Sequence, residues 1–128
     1  MTTPYHLEFR NYGEELQVTI RGGERSPENA LAAWVAIASE VRVREPRRLL
    51  ALSHVDGEPM QAEHMRGFFA SMAGLGMENV RVAYVDMAGF KTPLMETAEI
   101  LASEHGFAAR VFDNRIAAEL WLRHGSPD

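Results

Sequence analysis

The sequence predicts an α/β fold with a mostly parallel five-stranded sheet, in the order β-β-α-β-α-β-α-β-α and with the first strand antiparallel. Three observations lead there. Two early segments alternate apolar and polar residues, as half-buried strands do, and later apolar runs are short and continuous, as buried parallel strands are. Between them lie stretches with apolar residues three and four apart, the spacing of helices. Strands joined through helices require right-handed crossovers and therefore parallel pairing. At 128 residues the chain suits one domain, 1–128, with one core.

The elements follow in order. Tyr5, Leu7 and Phe9 alternate with His6, Glu8 and Arg10, and Leu16, Val18 and Ile20 with Gln17, Thr19 and Arg21; Asn11-Tyr12-Gly13 supplies the turn of a hairpin. Ser26-Pro27-Glu28 starts a helix, with a capping hydroxyl, a proline tolerated in the first turn and an acid at the positive pole. Its apolar stripe is Ala30, Trp34, Ile37, Ala38 and Val41, ending before Pro46. Leu49-Leu50-Ala51-Leu52 is a central strand, broken at Asp56-Gly57. Glu58-Pro59 opens a second helix with Met60, His64, Phe68 and Met72 in steps of four, stopped by Gly74 or Gly76. A strand over 80–85 sets Val82 and Tyr84 against Ala83 and Val85. Leu94, Ala98 and Leu101 mark a third helix closed by Gly106, and residues 107–112 the last strand. Asp113 or Asn114 caps a final helix that buries Ile116, Leu120 and Trp121 and closes at Gly125; both Trp34 and Trp121 are expected in the core.

Composition narrows the function classes. Hydrophobic residues form 46% and charged residues 24% of the chain, which are globular values. The longest uncharged apolar stretch, 30–39, is too short to span a bilayer, and residues 1–15 lack the pattern of a secretory signal, so a cytoplasmic location is expected. With no cysteine there is no disulfide, thiolate metal site or cysteine nucleophile. A net charge of −5 disfavours a nucleic-acid partner. Lys91 is the only lysine beside twelve arginines, a skew that codon bias explains. The cluster Arg42, Arg44, Arg47 and Arg48 falls where a helix ends, and its placement against the negative pole explains it without a ligand.

At Leu52-Ser53-His54-Val55, closing the first central strand, the chain resembles the SpoIIAA-like branch of the STAS family (sulfate transporter and anti-sigma factor antagonist domains). The final stretch, with Glu104-His105-Gly106, Val111-Phe112-Asp113, Ala117-Ala118 and Trp121-Leu122, resembles the same group. The resemblance implies βα turns wound as a superhelix with helices crowded on one side of the sheet, and regulation through protein contacts. It also implies a phosphate-accepting serine after this strand, at a helix start whose free amides steady the phosphate. Here that stretch is Asp56-Gly57-Glu58-Pro59-Met60-Gln61-Ala62, which has no hydroxyl and already carries two carboxylates. The kinase-controlled switch is therefore absent in its usual form.

The densest polar group is His54, Asp56, Glu58, Glu63 and His64, whose imidazoles and carboxylates suit a metal or an acid–base pair at the ends of parallel strands. No closely spaced histidine pair accompanies them, and a lone histidine on an apolar stripe is most often a packed core residue, so no metal or cofactor is assigned. Ser53, His54 and Asp56 resemble a triad only nominally, because strand neighbours point to alternate faces. The loop 86–93 leaves a central strand with Asp86, Met87, Phe90 and Lys91, and soft apolar side chains there suit an adaptable groove. The ligand-binding set is thus His54, Asp56, Met60, His64, Asp86, Met87, Phe90 and Lys91. The plainer reading makes the methionines and phenylalanines core and a loop anchor.

The reading is a non-enzymatic STAS-like domain that binds a protein partner, a second copy of itself included, or an apolar small molecule. The alternative is a small enzyme or metal-binding protein using His54, Asp56 and Glu63 or His64. One expectation is checked directly. A STAS-type kinase should leave no phosphate on residues 53–62, read by phosphopeptide mass spectrometry; a stable phosphate on Ser53 would restore the switch.

Overall fold

The computed structural model describes residues 5–22, 26–55, 60–87 and 93–124. Two strands, β1 (His6–Tyr12) and β2 (Glu15–Arg21), precede α1 (Pro27–Arg44), β3 (Arg48–His54) and α2 (Ala62–Met72). A single 3-10 turn, Met77–Asn79, leads into β4 (Arg81–Asp86), α3 (Pro93–Glu104), β5 (Ala108–Phe112) and α4 (Arg115–His124). The sheet order is β1-β2-β3-β4-β5, with β1 antiparallel to β2 and every other pair parallel. No helix among the described residues is long and apolar enough to cross a membrane.

Local chemistry sets the element ends. The hairpin turns over Gly13 and Glu14 rather than Asn11-Tyr12-Gly13, because Gly13 adopts φ 62° and a two-residue loop then suffices. Ser26 caps α1, its Oγ accepting the Asn29 N–H at 3.0 Å, and Pro27 follows. The helix closes where Glu45 turns left-handed at φ 49° and donates its N–H to Val41, just before Pro46. Beyond α2, Gly74 and Gly76 both have positive φ, and the Glu78 carboxylate accepts the Gly74 N–H at 2.8 Å. That bond holds the Glu78 carboxyl below its ordinary pKa. Asn114, not Asp113, caps α4, accepting the Ala117 N–H at 2.9 Å.

Two apolar layers flank the sheet. On one face Leu16, Val18, Ile20, Leu49, Ala51 and Val82 meet Ile37 and Val41 of α1, Met72 of α2 and Ala102 of α3. On the other, Leu50, Leu52, Ala83 and Val85 meet Ala118 and Leu122 of α4, bordered by Phe112 and Trp121. Three helices therefore cover one face and α4 alone serves the other.

Three helix faces differ from the spacing-based expectation. α1 buries Asn29, Ala33, Ile37, Ala38 and Val41, while Ala30 and Trp34 stay half-buried. α2 begins at Ala62, after Met60, and its stripe is Met65, Phe68, Phe69 and Met72, with His64 exposed. Steps of four advance about 40° past a full turn, so the three steps from Met60 to Met72 drift by about 120° and the row cannot stay on one face. Glu58 and Pro59, expected to open it, lie outside the described residues. α4 turns two of its apolar residues outward: Ile116 is 74% and Leu120 58% exposed, while Ala118 and Leu122 pack on the sheet. Both tryptophans are half-buried. Trp34 packs 6.2 Å from the Tyr84 ring; Trp121 lies 5.8 Å from the Phe112 ring and beneath the Arg81 guanidinium at 4.7 Å.

The orientation of α4 follows from polar groups. Glu15 and Gln17, on the side of β2 that alternation assigns to solvent, are buried, Glu15 to 3% exposure. Arg123 grips the Glu15 carboxylate with two bonds, Nε to Oε1 at 3.2 Å and Nη2 to Oε2 at 3.1 Å. Arg48 Nε stands 3.5 Å from the same carboxylate, and Arg115 Nη2 donates to Gln17 Oε1 at 2.9 Å. Arginines at both ends of α4 thus tie it to one strand, which fixes its rotation and leaves Ile116 and Leu120 outside. Arg123→Met should cost about 1–2 kcal/mol in urea unfolding, since a buried carboxylate loses its two-pronged partner while Arg48 remains. Ile116→Ser should change stability by less than about 0.5 kcal/mol. Equal losses at the two positions would mean that apolar packing, not the arginines, orients the helix.

Candidate functional site

The carboxyl ends of β3 and β4 lie side by side. Ser53 is opposite Asp86 in the parallel register, and the Met87 N–H donates to the Ser53 carbonyl at 2.9 Å. The loops leaving the two strands therefore start from neighbouring points, as a crossover between adjacent strands demands. The strand period then sorts the side chains. Ser53 shares the three-helix face with Leu49 and Ala51, and Asp86 shares it with Val82 and Tyr84. His54, one residue on, shares the α4 face with Leu50 and Leu52 and is exposed.

This geometry divides the expected site. Asp86 is half-buried, Met87 is 38% exposed, and Met60 is half-buried just ahead of α2. His64 and Glu63 are exposed on α2, which packs on the face opposite to the one His54 joins. His54 thus joins the α4 face of the sheet, while Glu63 and His64 lie on a helix of the three-helix face. Asp56, Phe90 and Lys91 lie outside the described residues. Among the described residues, no three His, Asp or Glu side chains gather as a metal ion requires.

Ser53, set aside above as part of a nominal triad, stands out by its burial. It is 1% exposed, and its Oγ has no hydrogen-bond partner among the described residues. Its one signal in the sequence is a hydroxyl inside the otherwise apolar run 49–53. At that depth the hydroxyl is closed to a kinase, and its neighbour His54 faces away, so the nominal triad has no geometry. The four clustered arginines are occupied as well. Arg42 donates to the Leu75 carbonyl at 2.7 Å, Arg44 pairs with Glu40 at 2.8 Å and Arg47 with Glu14 at 3.4 Å, while Arg48 meets Glu15. These are contacts within the fold, at the end of α1 and the start of β3.

The sequence matches no protein-family model, and a search of curated proteins finds no relative of significant similarity.

The Ser53 hydroxyl gives a clean measurement. An unpaired buried hydroxyl carries a desolvation cost that alanine removes, so Ser53→Ala should leave stability unchanged or raise it by about 0–1 kcal/mol in thermal unfolding. A loss above about 1 kcal/mol would show that the hydroxyl has a partner in solution.

Proposed function

We propose that the chain is a non-enzymatic, STAS-like binding module that engages a protein partner at the carboxyl ends of β3 and β4 without a phosphorylation switch. One observation carries the reading. The Ser53–Asp86 register and the bond from Met87 to Ser53 set the exposed Met87 at the joined carboxyl ends of β3 and β4. A flexible, exposed thioether at the joined strand ends, next to the half-buried Asp86, supports a contact surface with an apolar centre and a polar border.

The order of the fold supports the family part of the proposal. Parallel strands added one after another, with α1, α2 and α3 on one face, are what the STAS resemblance implies. The lack of any hydroxyl from 56 to 62 supports a partner bound constitutively rather than released by a kinase.

Native mass spectrometry of the chain isolated from its own host tests this, with Met87→Glu beside the wild type. A protein complex in the wild type that Met87→Glu loses, with unfolding unchanged, is the expected result. A bound small molecule instead would move the reading to an apolar-ligand module, and a complex indifferent to Met87→Glu would place the contact elsewhere.

A further inference from the structure

The sheet has two edges, and they are finished differently. At β5 the fold closes its own edge. The Val111 N–H donates to Glu99 Oε2 of α3 at 2.8 Å, and Arg110 stands 3.8 Å from the same carboxylate. A backbone donor of the edge strand is thus occupied from within, and a charged pair sits over it. At β1, residues 6–12 pair with β2 on one side, and among the described residues no hydrogen bond reaches their outer edge. The segment His-Leu-Glu-Phe-Arg-Asn-Tyr contains neither proline nor glycine, so each residue keeps an extended backbone able to pair.

The side chains of β1 discriminate among partners. Leu7 and Phe9 pack at the margin of the three-helix core and remain half-buried. On the opposite face His6, Glu8 and Arg10 are exposed, and Arg10 Nη2 lies 3.5 Å from Glu8 Oε1. This pattern is complementary to itself read backwards. If Phe9 stands opposite Phe9 of a second copy in antiparallel pairing, Glu8 of each chain faces Arg10 of the other, and the two phenylalanines meet on the apolar side. Sliding the register by two residues sets Glu8 against Glu8 or Arg10 against Arg10, which like charges disfavour.

We propose that β1 is a self-association edge, at which a second copy of this chain adds antiparallel about a two-fold axis through Phe9. The two sheets then form one sheet of ten strands. The outer strands of that sheet are both β5, whose edge Glu99 occupies, so the assembly closes at two copies instead of growing. The inference is independent of the surface at β3 and β4, which lies at the ends of inner strands.

Sedimentation equilibrium across a concentration series tests it on the full chain, with three variants at these exposed positions. The wild type should show a monomer–dimer equilibrium. Arg10→Glu and Glu8→Arg each set like charges opposite one another twice and should weaken the dimer at least about tenfold. The double variant Glu8→Arg/Arg10→Glu restores opposite charges across the two-fold and should return the constant to within about threefold of wild type. Circular dichroism and thermal unfolding should coincide for all four proteins. A wild type that stays monomeric up to about 1 mM overturns the proposal. So does a dimer that ignores the single substitutions, or one that the double variant fails to restore.

Discussion

The direction in which the sheet grows governs this structure. After the hairpin, each crossover adds a strand on the same side of the last, from β2 to β5. A crossover between parallel strands is right-handed in almost every known case, so a run of them in one direction puts every connecting helix on one face. α1, α2 and α3 accordingly share one core, while the opposite face is left to α4, the element that follows the last strand.

That imbalance explains why the most ordered polar chemistry lies under α4. A ten-residue helix brings little apolar area, and only Ala118 and Leu122 of it are buried on the sheet. Its attachment is completed by arginines that reach Glu15 and Gln17 of β2. Glu15 is acceptable at that depth because it is paired, by Arg123 through two bonds and by Arg48 beside it. The Glu15 bond and charge also hold the Arg123 guanidinium above its ordinary pKa. The consequence for function is that the α4 face is committed to structure near β2, while its outer surface carries Ile116 and Leu120.

The strand ends show how alternation decides what a cluster in sequence means. His54 and Asp86, placed in one ligand-binding set from the sequence, end adjoining strands, and Ser53 lies between them in the register. The period of two sends Ser53 and Asp86 to one face and His54 to the other, and a sheet packed on both sides lies between them. What joins the two strand ends is the backbone link from Met87 to Ser53.

Much of the fold was legible in the residues themselves. Alternation in 5–10 and 16–21, the apolar runs at 49–52 and 80–85, the Ser26-Pro27 start and the glycines at 74, 76 and 106 act locally, through backbone sterics and solvent preference. They gave the element order and the antiparallel first strand. The rotation of each helix was not local. Ile116, Leu120 and Trp34 are as apolar as any core residue, and Glu15 and Gln17 as polar as any surface one. Which of them is buried depends on what the opposing layer offers, and α4 offers two arginines to β2. The sequence by itself determined the elements and their order, because those arise from neighbours in the chain. Only the tertiary structure decided which faces close, which strand edge stays open and which polar residues meet, because those arise from groups far apart in the chain, such as Arg123 and Glu15 at a separation of 108.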